Sequence, residues 1–142
     1  MTVAPVLDYA AAERARLVND ARAALVESGT AVTTELFARS TGRTLEAARQ
    51  WLQRRRRAGR LITVTYNDRV LIPTFQLSEA FEHDETAGQI VKFLGSREMS
   101  EWAVWDWFAT PNTWLDGTSP ADALVSGRVG DVRRAARGLF QE

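Results

Sequence analysis

Apolar residues recur every three or four positions through much of the first 60 residues, which is the spacing of helices that bury one face. This spacing predicts helices over residues 9–28, 34–40 and 44–58. Asp8 and Thr33 are suited to cap the first two helices, because their side-chain oxygens can accept hydrogen bonds from free backbone N–H groups. A glycine follows each helix and is expected to end it: Gly29, Gly42 and Gly59.

The second and third predicted helices each have an apolar side that we expect to be buried. In the second helix this side consists of Leu36, Phe37 and Ala38. In the third helix it consists of Leu45, Ala48, Trp51 and Leu52, and we assign Trp51 to the core.

Two apolar, β-branched runs follow at residues 61–66 and 69–72. Between them lies Asn67-Asp68, a pair typical of a two-residue turn, and Pro73 follows the second run. The pattern predicts a β-hairpin that ends at the proline.

The second half of the chain predicts a small helical bundle. Its helices are expected over residues 86–94, 101–109, 121–126 and 131–139. Ser100 and Ser119 are suited to cap the second and third of them, and Gly95 to end the first. The polar residues 78–85 form either a short linker or a continuing helix. The last helix is expected to turn four apolar residues inward: Val132, Ala135, Ala136 and Leu139.

Four of the five tryptophans lie between positions 102 and 114. They could form the compact core of a module that is otherwise small for independent stability. They could also form a surface that binds a partner, because so small a bundle has little room to bury all of them. The sequence leaves both interpretations open.

The net charge of zero conceals an asymmetry between the halves. Residues 1–77 carry a balance of +5 and residues 78–142 a balance of −5. The two halves therefore face different partners, or each other. Residues 43–60 alone hold seven arginines against Glu46, a balance of +6. A run of this kind can be a solvated helix face, but it is also what a helix needs to approach a phosphate backbone.

Composition excludes several classes of function. The chain has no cysteine and one histidine, His83, which excludes disulfides, thiolate metal sites and most zinc sites. We expect His83 to be exposed or to cap a helix. No glycine-rich phosphate loop or nucleophile motif is present, so we expect neither an enzyme nor a cofactor. Apolar runs are too short to span a membrane and no signal peptide opens the chain, which favours a cytoplasmic protein.

Ala38 and Gly42 lie four positions apart, where two steeply crossing helices need a small contact residue and a left-handed turn residue. Residues 33–53 therefore resemble a helix-turn-helix, although a purely structural helical hairpin has the same pattern. With the hairpin included, residues 9–76 resemble a winged helix-turn-helix. The resemblance implies that the third helix enters the major groove of DNA and that the hairpin flanks it.

Helical geometry then predicts which side chains would meet DNA. Arg43 and Gln50 are suited to read guanine and adenine, and Arg54, Arg57 and Arg69 to contact phosphates. The full predicted DNA-binding set is Arg43, Thr44, Ala47, Gln50, Arg54, Arg57 and Arg69.

Residues 87–142 resemble the C-terminal toxin-binding domain of the MbcA/ParS/Xre family of antitoxins. The features that carry the resemblance follow one another in the family's order: Pro111-Asn112, Leu115, Gly117, Pro120, Leu124 and Val132. Most members of the family have a helix-turn-helix without a wing, so this chain departs from them in its first half.

The resemblance implies a partner protein and no reaction. Family members bind NAD-consuming toxins with a RES domain and block the nucleotide pocket with their C-terminal region. The corresponding toxin-binding residues here would be Arg133, Arg134, Arg137, Gln141 and Glu142.

The sequence thus predicts a mainly α protein in two domains. Residues 1–77 would form a winged helix-turn-helix DNA-binding domain, and residues 78–142 a small helical toxin-binding bundle. The predicted function is that of an antitoxin of a type II toxin–antitoxin pair, which blocks its toxin and autoregulates its operator DNA as a homodimer. The alternative is a stand-alone winged-helix transcription regulator whose C-terminal half dimerises or senses a ligand.

Overall fold

The computed structural model describes residues 4–141 of the chain, with side chains from Tyr9 onward. The described part is mainly helical and contains a small antiparallel sheet. Its helices are α1 (Ala4–Glu27), α2 (Thr34–Thr41), α3 (Leu45–Arg57), α4 (Glu85–Ser96), α5 (Glu101–Ala109), α6 (Pro120–Val125) and α7 (Val129–Gly138). Its strands are β1 (Ala31–Thr33), β2 (Val64–Tyr66) and β3 (Arg69–Pro73). Short 3-10 helices span Thr74–Gln76 and Thr113–Leu115.

The contacts divide the chain into two compact units, one that ends at Thr30 and one that begins at Ala31. The first unit is the single helix α1. This helix begins at Ala4, five residues before the predicted start, so the assignment of Asp8 as its N-cap is wrong. The early start is compatible with Pro5, because the first turn of a helix needs no N–H from its residues.

The connection between α2 and α3 follows the predicted chemistry closely. The Thr33 hydroxyl accepts a hydrogen bond from Leu36 N at 3.1 Å and caps α2. Gly42 ends the helix with a φ of +70°, in the left-handed conformation that the Ala38/Gly42 pattern predicts. Thr44 caps α3 rather than belonging to it, since its hydroxyl accepts from Ala47 N.

One predicted core residue of α2 is exposed. Leu36 is 39% exposed, whereas Thr34, Phe37 and Ala38 are buried. Successive helical residues are turned by about 100°, so Leu36 lies about 130° from the centre of a face formed by Thr34 and Phe37, and therefore outside it.

The sheet has the order β1-β3-β2 and is antiparallel throughout. The predicted hairpin is confirmed, with Asn67 and Asp68 at φ values of +49° and +63° in its two-residue turn. Leu61 and Ile62, which we predicted in the first strand, precede β2 and are buried. Strand β1 was not predicted. It has three residues and ends at Thr33, the cap of α2, so it is too short to show an alternation of apolar and polar side chains.

A buried glutamine joins the two ends of the hairpin. Gln76 has no exposed surface, and its amide nitrogen donates to Ile62 O at 2.7 Å. The backbone N–H of Ile62 in turn donates to Gln76 Oε1 at 3.0 Å. The side chain thus satisfies two backbone groups that have no strand partner.

The segment from residue 78 to residue 84 is neither a free linker nor a continuing helix. Leu77 and His83 pair as an isolated antiparallel bridge, and Ser78 N donates to Glu82 O at 2.8 Å. Phe81 takes a φ of +60° inside this turn. The segment therefore forms a closed loop before α4 begins.

The four predicted helices of the second half are confirmed, as are the caps Ser100 and Ser119. Two further predictions for these helices are wrong. Gly95 does not end α4, which continues to Ser96. Leu139 is 47% exposed because α7 ends at Gly138, and only the preceding turns face the core.

The tryptophans divide between core and surface. Trp105 and Trp107 are buried, and Trp102 is partly buried and stacks on Trp105 with ring centroids 5.7 Å apart. Trp114 is 55% exposed and lies against Gly138, where a Cβ atom would come within 2.5 Å of the ring. The core interpretation is confirmed for Trp105 and Trp107, and a partner-binding surface at the exposed Trp114 stays a prediction.

Contacts join residues on either side of the predicted domain boundary at residues 77 and 78. The rings of Phe75 and Phe108 stack with centroids 3.9 Å apart. Glu101 binds both Arg56 and the backbone N–H of Thr63. These partners all belong to the compact unit that begins at Ala31.

Replacement of Gln76 by methionine is expected to destabilise the protein by about 2–5 kcal/mol, because two buried backbone groups of Ile62 lose their partners. The free energy of unfolding in urea measures the effect. The matched control is Gln53→Met on the exposed side of α3, where we expect a change within about 0.5 kcal/mol. Equal stability of the two variants would show that the Gln76 amide contributes nothing.

Candidate nucleic-acid interface

The exposed side of α3 carries most of the predicted DNA-binding residues. Ala47, Gln50, Arg54 and Arg57 are all exposed, whereas Ala48, Trp51 and Leu52 are buried on the other side. The Gln50 amide nitrogen donates to Glu46 Oε1 at 3.3 Å, a surface hydrogen bond that a stronger partner can replace. The face is therefore open, polar and positively charged.

Arg43 does not lie with this group. Its guanidinium is 5.0 Å from the centre of the Trp51 ring and 5.7 Å from that of Phe37. Trp51 is turned by about 100° from Gln50 around the helix axis. Arg43 therefore occupies the flank of α3, and Thr44, also in the predicted set, is engaged in capping the helix.

The hairpin adds one arginine, Arg69, beside α3. Arg69 begins β3 and is exposed, and it lines a cleft of about 410 Å³ together with Arg39 and Arg49. The acidic residues Glu35 and Asp68 line the same cleft. Arg39 and Arg49 are not among the residues that the sequence predicts for the site. Their positive charge was apparent in the sequence, but their position beside the hairpin depends on the fold.

The four consecutive arginines at the end of α3 have different environments. Arg56 forms a bidentate ion pair with Glu101, with nitrogen–oxygen distances of 2.6 and 2.7 Å, and this hydrogen bonding raises its pKa. Arg55 lies over Trp51, 3.7 Å from the ring centre, and burial lowers its pKa, with Arg54 and Arg43 adding to the effect. Arg54 and Arg57 remain exposed.

His83 is partly buried and caps no helix, so the expectation of an exposed or capping histidine is wrong. Its Nε2 donates to Arg60 O at 2.9 Å, and its ring meets the Trp51 indole edge-on with centroids 6.2 Å apart. Gly88 allows the close approach, since a Cβ atom there would be 3.1 Å from the ring. Burial lowers the pKa of His83, an effect that the hydrogen bond to Arg60 O opposes.

The predicted toxin-binding residues lie at the end of the chain. Arg133, Arg134 and Arg137 are on the exposed side of α7, and Gln141 is also exposed. Arg133 donates to Gln89 of α4 at 2.8 Å, and Arg134 is paired with Asp131. Glu142 lies outside the described residues.

No group of three or more histidine, cysteine, aspartate or glutamate residues is arranged to hold a metal ion in the part of the chain that the structure describes. No helix within those residues has the length and apolar character needed to cross a membrane.

No protein-family model matches the chain, and no curated protein matches it. Among solved structures, the chain is similar to the NMR structure of Rv2175c, with a TM-score of 0.62 and 21% sequence identity. The similarity covers 78% of this chain and 81% of that one. It shows a shared fold.

The environment of His83 predicts a pH-dependent stability. Its pKa is lowered from an ordinary value of about 6.5, so the unfolded chain takes up the proton first as the pH falls. Stability contributed by neutral His83 is therefore present above about pH 6.5 and is lost as the pH falls below it.

The matched comparison is His83→Gln, whose amide can still donate to Arg60 O but does not titrate. Urea unfolding between about pH 7.5 and 5.5 should show a smaller loss of stability in the variant than in the wild type. Parallel pH profiles of the two proteins would contradict the assigned pKa direction.

Proposed function

We propose that this protein binds duplex DNA through the exposed side of α3, with the β2–β3 hairpin as a flanking wing. The observation that carries the proposal is the arrangement of Gln50, Arg54 and Arg57 on one open face. These residue types are suited to base edges and phosphates, and an α-helix fits the major groove.

The element order supports a winged helix-turn-helix arrangement. Three helices precede the hairpin, and α2 and α3 are joined by a tight turn at the left-handed Gly42. The hairpin carries Arg69 next to Arg49 of α3. Phosphates on both edges of a groove can thus meet arginines from the helix and from the wing.

The attachment of α3 to the second half favours a DNA-binding regulator in which both halves act together over a protein of two independent modules. Glu101, the first residue of α5, holds Arg56 in the last turn of α3. The second half then supports the DNA-binding helix as well as carrying its own surfaces.

The antitoxin function stays a prediction that depends on the resemblance of residues 87–142. The exposure of Arg133 and Arg137 on α7 leaves them accessible to a RES-type toxin. Homodimerisation also stays a prediction, for which exposed Tyr9, Leu17 and Val18 on α1 are candidate contacts. Co-expression with a RES-type toxin, scored by growth and cellular NAD, tests the toxin partner directly.

The DNA-binding proposal predicts different effects for the two kinds of contact. The double variant Arg54→Ala/Arg57→Ala should bind all duplexes more weakly and reduce the salt dependence of binding by about one unit per lost phosphate contact. Gln50→Ala should instead cost about 1–3 kcal/mol at one base position of a selected site. Fluorescence anisotropy at several salt concentrations measures both effects.

Arg137→Ala is the matched control, because it removes an exposed arginine from the last turn of a different helix. Its affinity and salt dependence should equal those of the wild type. If the double variant also behaves as the wild type, α3 is not the element that contacts DNA.

A further inference from the structure

A second cleft, of about 910 Å³, lies on the Trp51 flank of α3. Its walls come from the α2–α3 corner, from the segment after α3, and from the closed loop that contains His83. The volume is within the range of about 300–1,000 Å³ that is usual for small-molecule sites. The cleft is separate from the exposed side of α3 that carries Gln50 and Arg57.

Three arginines line this cleft without a carboxylate partner in the described part of the chain: Arg43, Arg55 and Arg60. The guanidiniums of Arg43 and Arg55 lie 5.0 and 3.7 Å from the centre of the same indole ring, that of Trp51. Packing on the ring restricts where these long side chains can point, so part of the ordering cost of binding an anion is already met.

Arg43, Arg54 and Arg55 are close enough for their positive charges to repel one another. Arg43 and Arg54 both lower the pKa of Arg55, in addition to the effect of burial. An anion between Arg43 and Arg55 would relieve the repulsion and form charge-assisted hydrogen bonds with the planar guanidinium groups. Phosphate matches this geometry, because its oxygens can accept paired hydrogen bonds from arginine.

Two carboxylates, those of Glu82 and Glu85, line the same cleft. Hydroxyl groups of a small ligand can donate hydrogen bonds to them. The combination favours a ligand that carries both a phosphate and hydroxyl groups.

We propose that this cleft binds a small phosphorylated polyol, such as a sugar phosphate, with the phosphate held by Arg43, Arg55 and Arg60. The site goes beyond the proposed DNA binding and does not depend on it. Because Arg43 belongs to the turn between α2 and α3, the ligand would contact the corner that positions α3.

The test uses ribose 5-phosphate as the probe and the full chain as the protein. His83 lines the cleft and is the single histidine of the sequence, so its ring signals in a proton NMR spectrum need no assignment. The positive charges of Arg55 and Arg60 lower the pKa of His83, so a phosphate bound near them should raise it. The carboxylates of Asp84, Glu82 and Glu85 also lie nearby and are present with and without the ligand. Calorimetry at constant ionic strength gives the affinity.

Arg60→Gln and Arg55→Gln should each weaken binding of ribose 5-phosphate by about tenfold or more, since each removes a charge-assisted contact. Arg57→Gln is the matched control from the same helix and lies outside the cleft. It should leave ribose 5-phosphate binding unchanged and weaken DNA binding. Thermal unfolding of each variant verifies that it is folded. If Arg55→Gln does not fold, Arg60→Gln alone provides the test.

Inorganic phosphate and a short DNA duplex distinguish the possible sources of phosphate. Tighter binding of ribose 5-phosphate than of inorganic phosphate, without competition by the duplex, supports a small-molecule site. The proposal is overturned if neither small anion moves the His83 signals, if Arg60→Gln binds as tightly as the wild type, or if the duplex displaces the sugar phosphate. None of these outcomes decides whether α3 binds DNA, which Arg57→Gln tests separately.

Discussion

The indole of Trp51 is the contact on which both surfaces of α3 depend. It packs against Phe37 with ring centroids 5.1 Å apart, and Ala48 and Leu52 extend the same buried side of the helix. This packing fixes the rotation of α3 about its axis, and the rotation decides which residues face solvent. On the other flank, the same ring is the platform for Arg43 and Arg55 and meets the edge of His83. One aromatic side chain thus orients the exposed side of α3 that carries Gln50 and Arg57, and the cleft on its flank.

The sequence predicted the elements that local chemistry controls. Serine and threonine caps, the left-handed Gly42 and the Asn67-Asp68 turn all act within a few residues, so their effects can be read without knowledge of the fold. The short strand β1 forms because it pairs with β3, and no local sequence pattern predicts it. The same holds for Gln76, whose burial depends on Ile62 fourteen residues earlier.

The candidate site was less predictable than the fold. The arginine run was apparent, but consecutive helical residues point in directions about 100° apart, and tertiary neighbours then give each arginine a different role. Arg56 is paired with Glu101, which is 45 residues away along the chain. Part of the charge asymmetry between the halves is therefore used inside the molecule. Similarly, the polarity of its neighbours in sequence suggested an exposed His83, whereas the loop closes the ring against Trp51.

The pairing of Gln76 with Ile62 has a consequence for how this fold can vary. The two hydrogen bonds close the base of the hairpin, so the residues between them form a loop anchored at both ends. Its tip at Asn67 and Asp68 is exposed and makes no contribution to the core. Insertions or deletions at such a tip leave the packed elements undisturbed. The length of the hairpin can therefore diverge among proteins with this architecture at little cost to stability, and its reach beyond the packed elements changes with it.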